Sequence, residues 1–199
     1  MNSPVRWVCA FAGALVVLAH SALATTVVPP TFEQLVSQAE LVVRAEVRAL
    51  RCEETLREGR PVIHTYVTID VVRTLKGDAP ATLELRLLGG TVGDRTLHVP
   101  GVPRFAPGER CLLFIENNGR QFCPLVAIMH GRYRVERRAS DGLEIVRRDN
   151  GMPLRSPTDV SLPMGAPIAA LAPGAAMTLA DFESAILNQL GHDSADSTR

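Results

Sequence analysis

From Leu41 the chain alternates between apolar and polar residues. Leu41, Val43, Ala45, Val47 and Ala49 fall on one side of an extended backbone, and Arg44, Glu46 and Arg48 on the other. A period of two marks a strand with one covered face, so the pattern predicts a strand over 41–52. Residues 53–61 read as a polar loop with Gly59 and Pro61. A second alternating run, 62–75, turns Ile63, Val67, Ile69 and Val71 inward and His64, Tyr66, Thr68 and Asp70 outward. Lys76-Gly77-Asp78 is a turn, and Leu83, Leu85 and Leu87 define a third strand over 82–88. The run ERCLLFIE at 109–116 is apolar throughout its centre, as in strands covered on both faces. Residues 122–129 predict another strand, and 132–138 with 143–148 a hairpin around Ser140-Asp141-Gly142.

Two segments switch to helical spacing. Thr31 with Gln34 three residues on forms a capping box, which predicts a short helix to about Ala39 that buries Phe32, Leu35 and Val36. Near the other end, Thr178 caps a helix over 178–191 with Leu179, Phe182, Ile186 and Leu190 on one face and Gly191 as its stop. The rest is irregular. Residues 25–30 (TTVVPP) are extended, since their prolines forbid a helix. Residues 89–108 hold five glycines and three prolines, with room for one short strand at 96–99. Residues 151–177, rich in Pro, Ala and Gly, read as a linker, and 192–199 as a disordered tail. Short strands, turns and little internal helix predict a small closed or partly closed β-barrel over 25–150, with a β-sandwich as the alternative.

The N-terminus changes the setting. Arg6, the apolar run Trp7–Leu18 and the small-residue box Ala22-Leu23-Ala24 have the form of a signal peptide cut before Thr25. The apolar run is shorter than a membrane span, and no other stretch approaches one. The expected location is therefore periplasmic or secreted, with no transmembrane segment after cleavage.

Charge then narrows the partners. Lys+Arg 21 balances Asp+Glu 21, which argues against a globally basic nucleic-acid binder. The arginines clustered at 132–148 have Tyr133 as their only aromatic companion, too little for base stacking, so they read as a solvated strand face.

Candidate chemistry is sparse. The chain has no G-x-S-x-G, H-E-x-x-H, P-loop or G-x-G-x-x-G motif, and no spacing calls for a metal or cofactor. His64, His98, His130 and His192 form no pair at metal-ligand spacing. Export removes Cys9 and leaves Cys52, Cys111 and Cys123, an odd number in a compartment that permits disulfides. A two-residue turn at Asn118-Gly119 would set Cys111 opposite Val126 and Cys123 opposite Phe114, which disfavours a bridge between those two. A bond from Cys52 to Cys123 or to Cys111 is the expected pairing, and buried free thiols are the alternative.

The stretches AELVVRAEV and HTYVTIDVVRTLKG carry a family likeness through Glu40, Leu41, Val42, Val43, Arg44, Ala45, Val47, Tyr66, Lys76 and Gly77. They resemble the first two strands of the netrin-module and tissue-inhibitor-of-metalloproteinases (TIMP) OB-fold, and GERCLLFIENNGR resembles a later strand and turn. The stretch from Gly89 to Phe114 is also similar to a group of uncharacterised exported bacterial proteins. The resemblance implies a mainly β fold, a small OB-like (TIMP-like) β-barrel with a short N-terminal helix and a C-terminal helix. In the inhibitors a free N-terminal strip beginning Cys-x-Cys ligates the zinc of the protease. Here Thr25 and Val27 stand at the two cysteine positions.

The expected function is a non-enzymatic binding module for a protein or ligand. Its candidate contacts are the strip Thr25, Thr26, Val27 and Val28 and the loop residues Gly90, Val92, Arg104 and Phe105, since loops on a rigid scaffold carry binding. The alternatives are a TIMP-like inhibitor with a zinc metalloprotease as partner, an envelope structural protein, and an enzyme with a dispersed site. A shared pocket holding His64 or His98 would favour the last.

Overall fold

The computed structural model describes residues 27–196; the expected signal segment lies outside them. Helix α1, Phe32–Gln38, begins as its capping box dictates. Thr31 Oγ1 accepts from Gln34 N at 3.1 Å, and Gln34 Oε1 accepts from Thr31 N at 2.9 Å. At its other end the chain's single lysine, Lys76, donates to the carbonyls of Val36 and Ser37, each at 2.8 Å. A cation there satisfies carbonyls that have no intrahelical partner.

Strands β1, Leu41–Arg57, and β2, Arg60–Lys76, form one long hairpin. The loop expected over 53–61 is instead a ladder that continues to Arg57 opposite Arg60. Only Glu58 and Gly59 turn the chain, at φ 52° and 74°, the two left-handed residues whose twist matches paired strands. β1 also changes phase. Its pairing with β2 shifts between Val47 and Ala49, and such a bulge reverses which side chains face in. Ala49, expected inward, is exposed, while Leu50 packs against the core.

Five further strands follow before the last: β3 (Thr82–Leu88), the small hairpin β4 (Gly90–Val92) and β5 (Arg95–Leu97), β6 (Arg110–Ile115), and β7 (Arg132–Arg137). β8 is Glu144–Arg148. The main sheet is antiparallel in the order β3-β2-β1-β6-β7-β8. No ladder joins β3 to β8 among the described residues, so the sheet is open where a barrel or a sandwich was expected. The mainly β content and the two helices hold.

The sheet is covered on both faces. Val42, Leu112, Phe114, Tyr133, Val135 and Val146 pack against Leu35 and Val36 of α1 and against Leu179, Phe182 and Ile186 of helix α2, Leu179–Asp196. On the other face Val43, Ala45, Val47, Val67, Leu85 and Leu113 lie under Phe105, Cys123 and Leu125. β6 supplies both layers, which explains its unbroken apolar run. A sheet with two apolar faces has no need to curl shut to bury one of them.

Three other expectations are corrected. Residues 122–129 make a single bridge, Leu125 to Ile115. Ala127 and Ile128 then take φ 47° and 58° and lead into a 3-10 turn, Ile128–Gly131. The expected linker 151–177 is folded onto β8: Leu154 N donates to Val146 O at 3.0 Å, and Leu154, Val160 and Leu171 are buried. Buried Asp159 ties the segment together by accepting from the backbone of Arg155, Ser156 and Ala172 at 2.9–3.0 Å. Finally, α2 runs through Gly191 to Asp196, across part of the expected tail.

No helix of the described residues is long and apolar enough to cross a membrane.

Candidate functional site

Gly89 and Gly90 start the site. They follow β3 at φ 103° and 137°, a region that L side chains avoid. A Cβ on Gly90 would lie 2.5 Å from Thr65 Oγ1 and 2.9 Å from Cys52 Sγ, so only glycine lets the backbone pass this close. Thr65 Oγ1 donates to Gly89 O at 2.6 Å, and Gly89 N donates to Ile63 O at 2.8 Å. The chain then folds through the β4–β5 hairpin and returns as the loop 98–109.

That loop is held down at its far end. Phe105 is 8% exposed, and the guanidinium of Arg132 lies 4.4 Å from its ring centroid. Arg132 also pairs with Glu109, its Nε donating at 3.0 Å, and with Asp149 at 2.7 Å. Glu109 O and Gly108 N exchange hydrogen bonds with Val47 on β1 at 2.8 and 2.7 Å.

Between the sheet and this loop is a cavity of about 300 Å³. Leu50, Cys52, Thr65, Val67 and Leu87 form its sheet side; Val99, Val102 and Phe105 form its loop side. His98 and Arg104 also line it and are exposed, so they mark its solvent end. An Arg104 terminal nitrogen lies 3.2 Å from His98 Nδ1. A guanidinium has only donors, so in this contact Nδ1 is the acceptor and the ring's N–H is at Nε2. An apolar concavity with a few polar groups at one end is the usual form of a small-molecule site.

The three cysteines among the described residues are free thiols, and the bond expected between Cys52 and Cys123 is not formed. Cys52 faces the cavity with its sulfur 3.4 Å from Thr65 Oγ1, whereas Cys123 sits in the core beside Leu125. Burial pushes the thiols of Cys111 and Cys123 up to about 12, so neither is a thiolate near neutral pH. The register expected for Cys111 is also replaced: it pairs with Ala45 on β1 and Arg134 on β7.

The histidines scatter. His64 lies on β2 outside the cavity lining, its pKa lowered by burial and then by Arg86 and Arg57. His130 is 2% exposed. Burial and neighbouring Arg148 lower its pKa to about 4, while it donates to the Val160 carbonyl. No group of three metal-ligating side chains occurs among the described residues. The basic hairpin is not simply a solvated face: Arg132 and Arg148 are each 1% exposed, and Arg148 donates to the carbonyls of Leu162 and Pro163.

Of the candidate contacts, Gly90, Arg104 and Phe105 line one cavity, while Val92 lies on the hairpin beyond it. Phe105 is a buried wall rather than an outer contact. On the strip, Val27 is half-buried and Val28 is 80% exposed; Thr25 and Thr26 lie outside the described residues. Leu50, Thr65 and Leu87 went unseen because they come from three strands and meet only through the β1 bulge and the strand register. The double glycine after β3 and the proline-rich loop that follows it were the linear signals of the site.

The residues that carry the TIMP-like resemblance serve the scaffold. Lys76 caps α1, Gly77 would place a Cβ 2.5 Å from Glu40 O, and Glu40 accepts from Asn117 N and Arg120. No protein-family model matches the chain, and no curated protein matches it.

Proposed function

We propose that the protein is an exported, non-enzymatic binding module built on this open antiparallel sheet and that it binds its ligand in the cavity beneath the loop 98–109. The observation that carries this reading is the apolar cavity itself, roofed by a loop that Arg132 fixes through Phe105 and Glu109. A preformed site loses little ordering entropy on binding. The test is a thermal-shift screen of small apolar compounds on the chain beginning at Thr25. Binders should raise Tm, and Leu87→Trp, which fills the cavity, should abolish the rise while far-ultraviolet circular dichroism stays unchanged. A rise that survives in Leu87→Trp would overturn the assignment.

A second reading, as a zinc metalloprotease inhibitor, is favoured by one observation: Val28 is exposed on an extended strip that runs into buried Pro30. It predicts inhibition by the chain beginning at Thr25 and none by a chain extended by one residue. Equal behaviour of the two chains removes it.

A further inference from the structure

We infer that the cavity takes a small apolar carboxylate, with the carboxylate at Arg104 and His98 and the hydrocarbon against Leu50, Val67, Leu87 and Val102. The inference rests on the cavity being the binding site and adds the chemistry of what enters it.

Charge is the first argument. The lining contains one guanidinium and one imidazole and no Asp or Glu. Several arginines are neutralised in pairs, Arg51 with Glu53 and Glu84, Arg95 with Glu54, Arg132 with Glu109 and Asp149, Arg147 with Glu136. Others, such as Arg57, Arg60 and Arg137, have no salt bridge among the described residues; among the unpaired ones it is Arg104 that lines the cavity. Arg104 has no ion pair among the described residues; its polar contact is the ring of His98. A cation without a counter-charge at the open end of an apolar cavity complements an anion.

Geometry is the second. One of the guanidinium's five donors is used on His98 Nδ1, so a fork remains for the two oxygens of a carboxylate. His98 keeps its Nε2 proton as a further donor. Both groups stand on the same loop, and Phe105, next to Arg104 in the chain, is fixed under Arg132.

The interior decides what the anion is attached to. Its walls are mainly aliphatic, and the Thr65 hydroxyl proton is already given to Gly89 O. A polar tail would find few partners there, and burying it unpaired is costly. A volume of about 300 Å³ is at the small end of ligand sites, which favours a short acid over a long lipid. A free acid and the C-terminal residue of a peptide share this chemistry.

Cys52 reports occupancy, because it lines the cavity while Cys111 and Cys123 are buried. The experiment measures N-ethylmaleimide alkylation of Cys52 by mass spectrometry on the chain beginning at Thr25. Octanoate, octanol and an N-acetylated dipeptide ending in leucine serve as competitors. Octanoate should slow alkylation at about tenfold lower concentration than octanol, the size of one charge-assisted hydrogen bond. Arg104→Gln should erase that difference and Arg104→Lys should keep part of it. Protection by the dipeptide at lower concentration than octanoate assigns the carboxylate to a peptide end. Equal potency of octanoate and octanol, or an Arg104→Gln variant that retains the preference, overturns the anionic ligand. Leu87→Trp tests the cavity separately: it should slow alkylation with no ligand present. If it does not, the cavity reading itself fails. If it does and no competitor protects, the cavity stands and the carboxylate is wrong.

Discussion

The guanidinium of Arg132 lies over the ring of Phe105 at 4.4 Å while its nitrogens pair with Glu109 and Asp149. One side chain of β7 therefore joins the loop 98–109 to the turn after β8. Because Arg132 is 1% exposed, its removal strands two carboxylates that keep little solvent. Arg132→Met should cost about 3 kcal/mol, the range for breaking a buried ion pair, as read from the urea midpoint. It should also loosen the roof of the cavity, so Cys52 should alkylate faster in conditions where the variant is still folded.

His130 links stability to acid. Its pKa is about 4 in the folded chain against about 6.5 unfolded. Between these values the unfolded chain binds a proton that the folded chain does not. Its contribution is fully present above pH 6.5, declines as the pH falls toward 4, and changes no further below that. The span of about 2.5 units sets an upper size of about 3 kcal/mol. Urea unfolding of His130→Gln and of the wild-type chain across pH 4–7 should give curves that converge on acidification. Parallel curves would show that His130 is not the group responsible.

Helix α2 docks through charge as well as apolar surface. Glu183 is buried and pairs with Arg44 and Arg73, which face each other across β1 and β2. Both arginines keep part of their hydration, so Glu183→Gln should cost roughly 1–2 kcal/mol, below the loss for a fully buried pair. Amide hydrogen exchange should quicken first in α2.

Two glycines at nearly the same φ separate backbone strain from crowding. Gly59 and Gly77 take φ 74° and 77°. A Cβ on Gly59 meets nothing within 4 Å, whereas one on Gly77 would lie 2.5 Å from Glu40 O. Gly59→Ala should cost about 1 kcal/mol, the left-handed penalty alone. Gly77→Ala should cost clearly more, because the neighbour is backbone and cannot swing aside. Chemical denaturation of the two variants makes the comparison.

Much of the scaffold was legible along the chain. Alternation located β2 and β3, the unbroken apolar run located β6 at the centre, and Thr31 with Gln34 marked the start of α1. Each is a local signal, set by which face of one element is covered or by one cap. The candidate site was legible only in part. The double glycine and the proline-rich loop drew attention to Gly90, Arg104 and Phe105. Nothing linear showed that Phe105 would be a wall under Arg132, or that Leu50, Cys52, Thr65 and Leu87 would form the surface beneath it.

Composition misled at two places. The segment 151–177 has the prolines and alanines of a linker, yet its backbone pairs with β8 and Asp159 gathers three amides. The arginines of β7 and β8 have the spacing of a solvated face, yet Arg132 and Arg148 are buried because carboxylates and carbonyls reach them from distant loops.

By itself, then, the sequence determined what a single element needs: its period, its caps, its glycine turns and the balance of charge along it. Tertiary structure decided whether the sheet closes, which residues share the cavity, whether the cysteines pair and which arginines are solvated. Each of these depends on groups far apart in the chain. Such groups meet only after bulges have fixed the strand phase and both faces of the sheet have been covered.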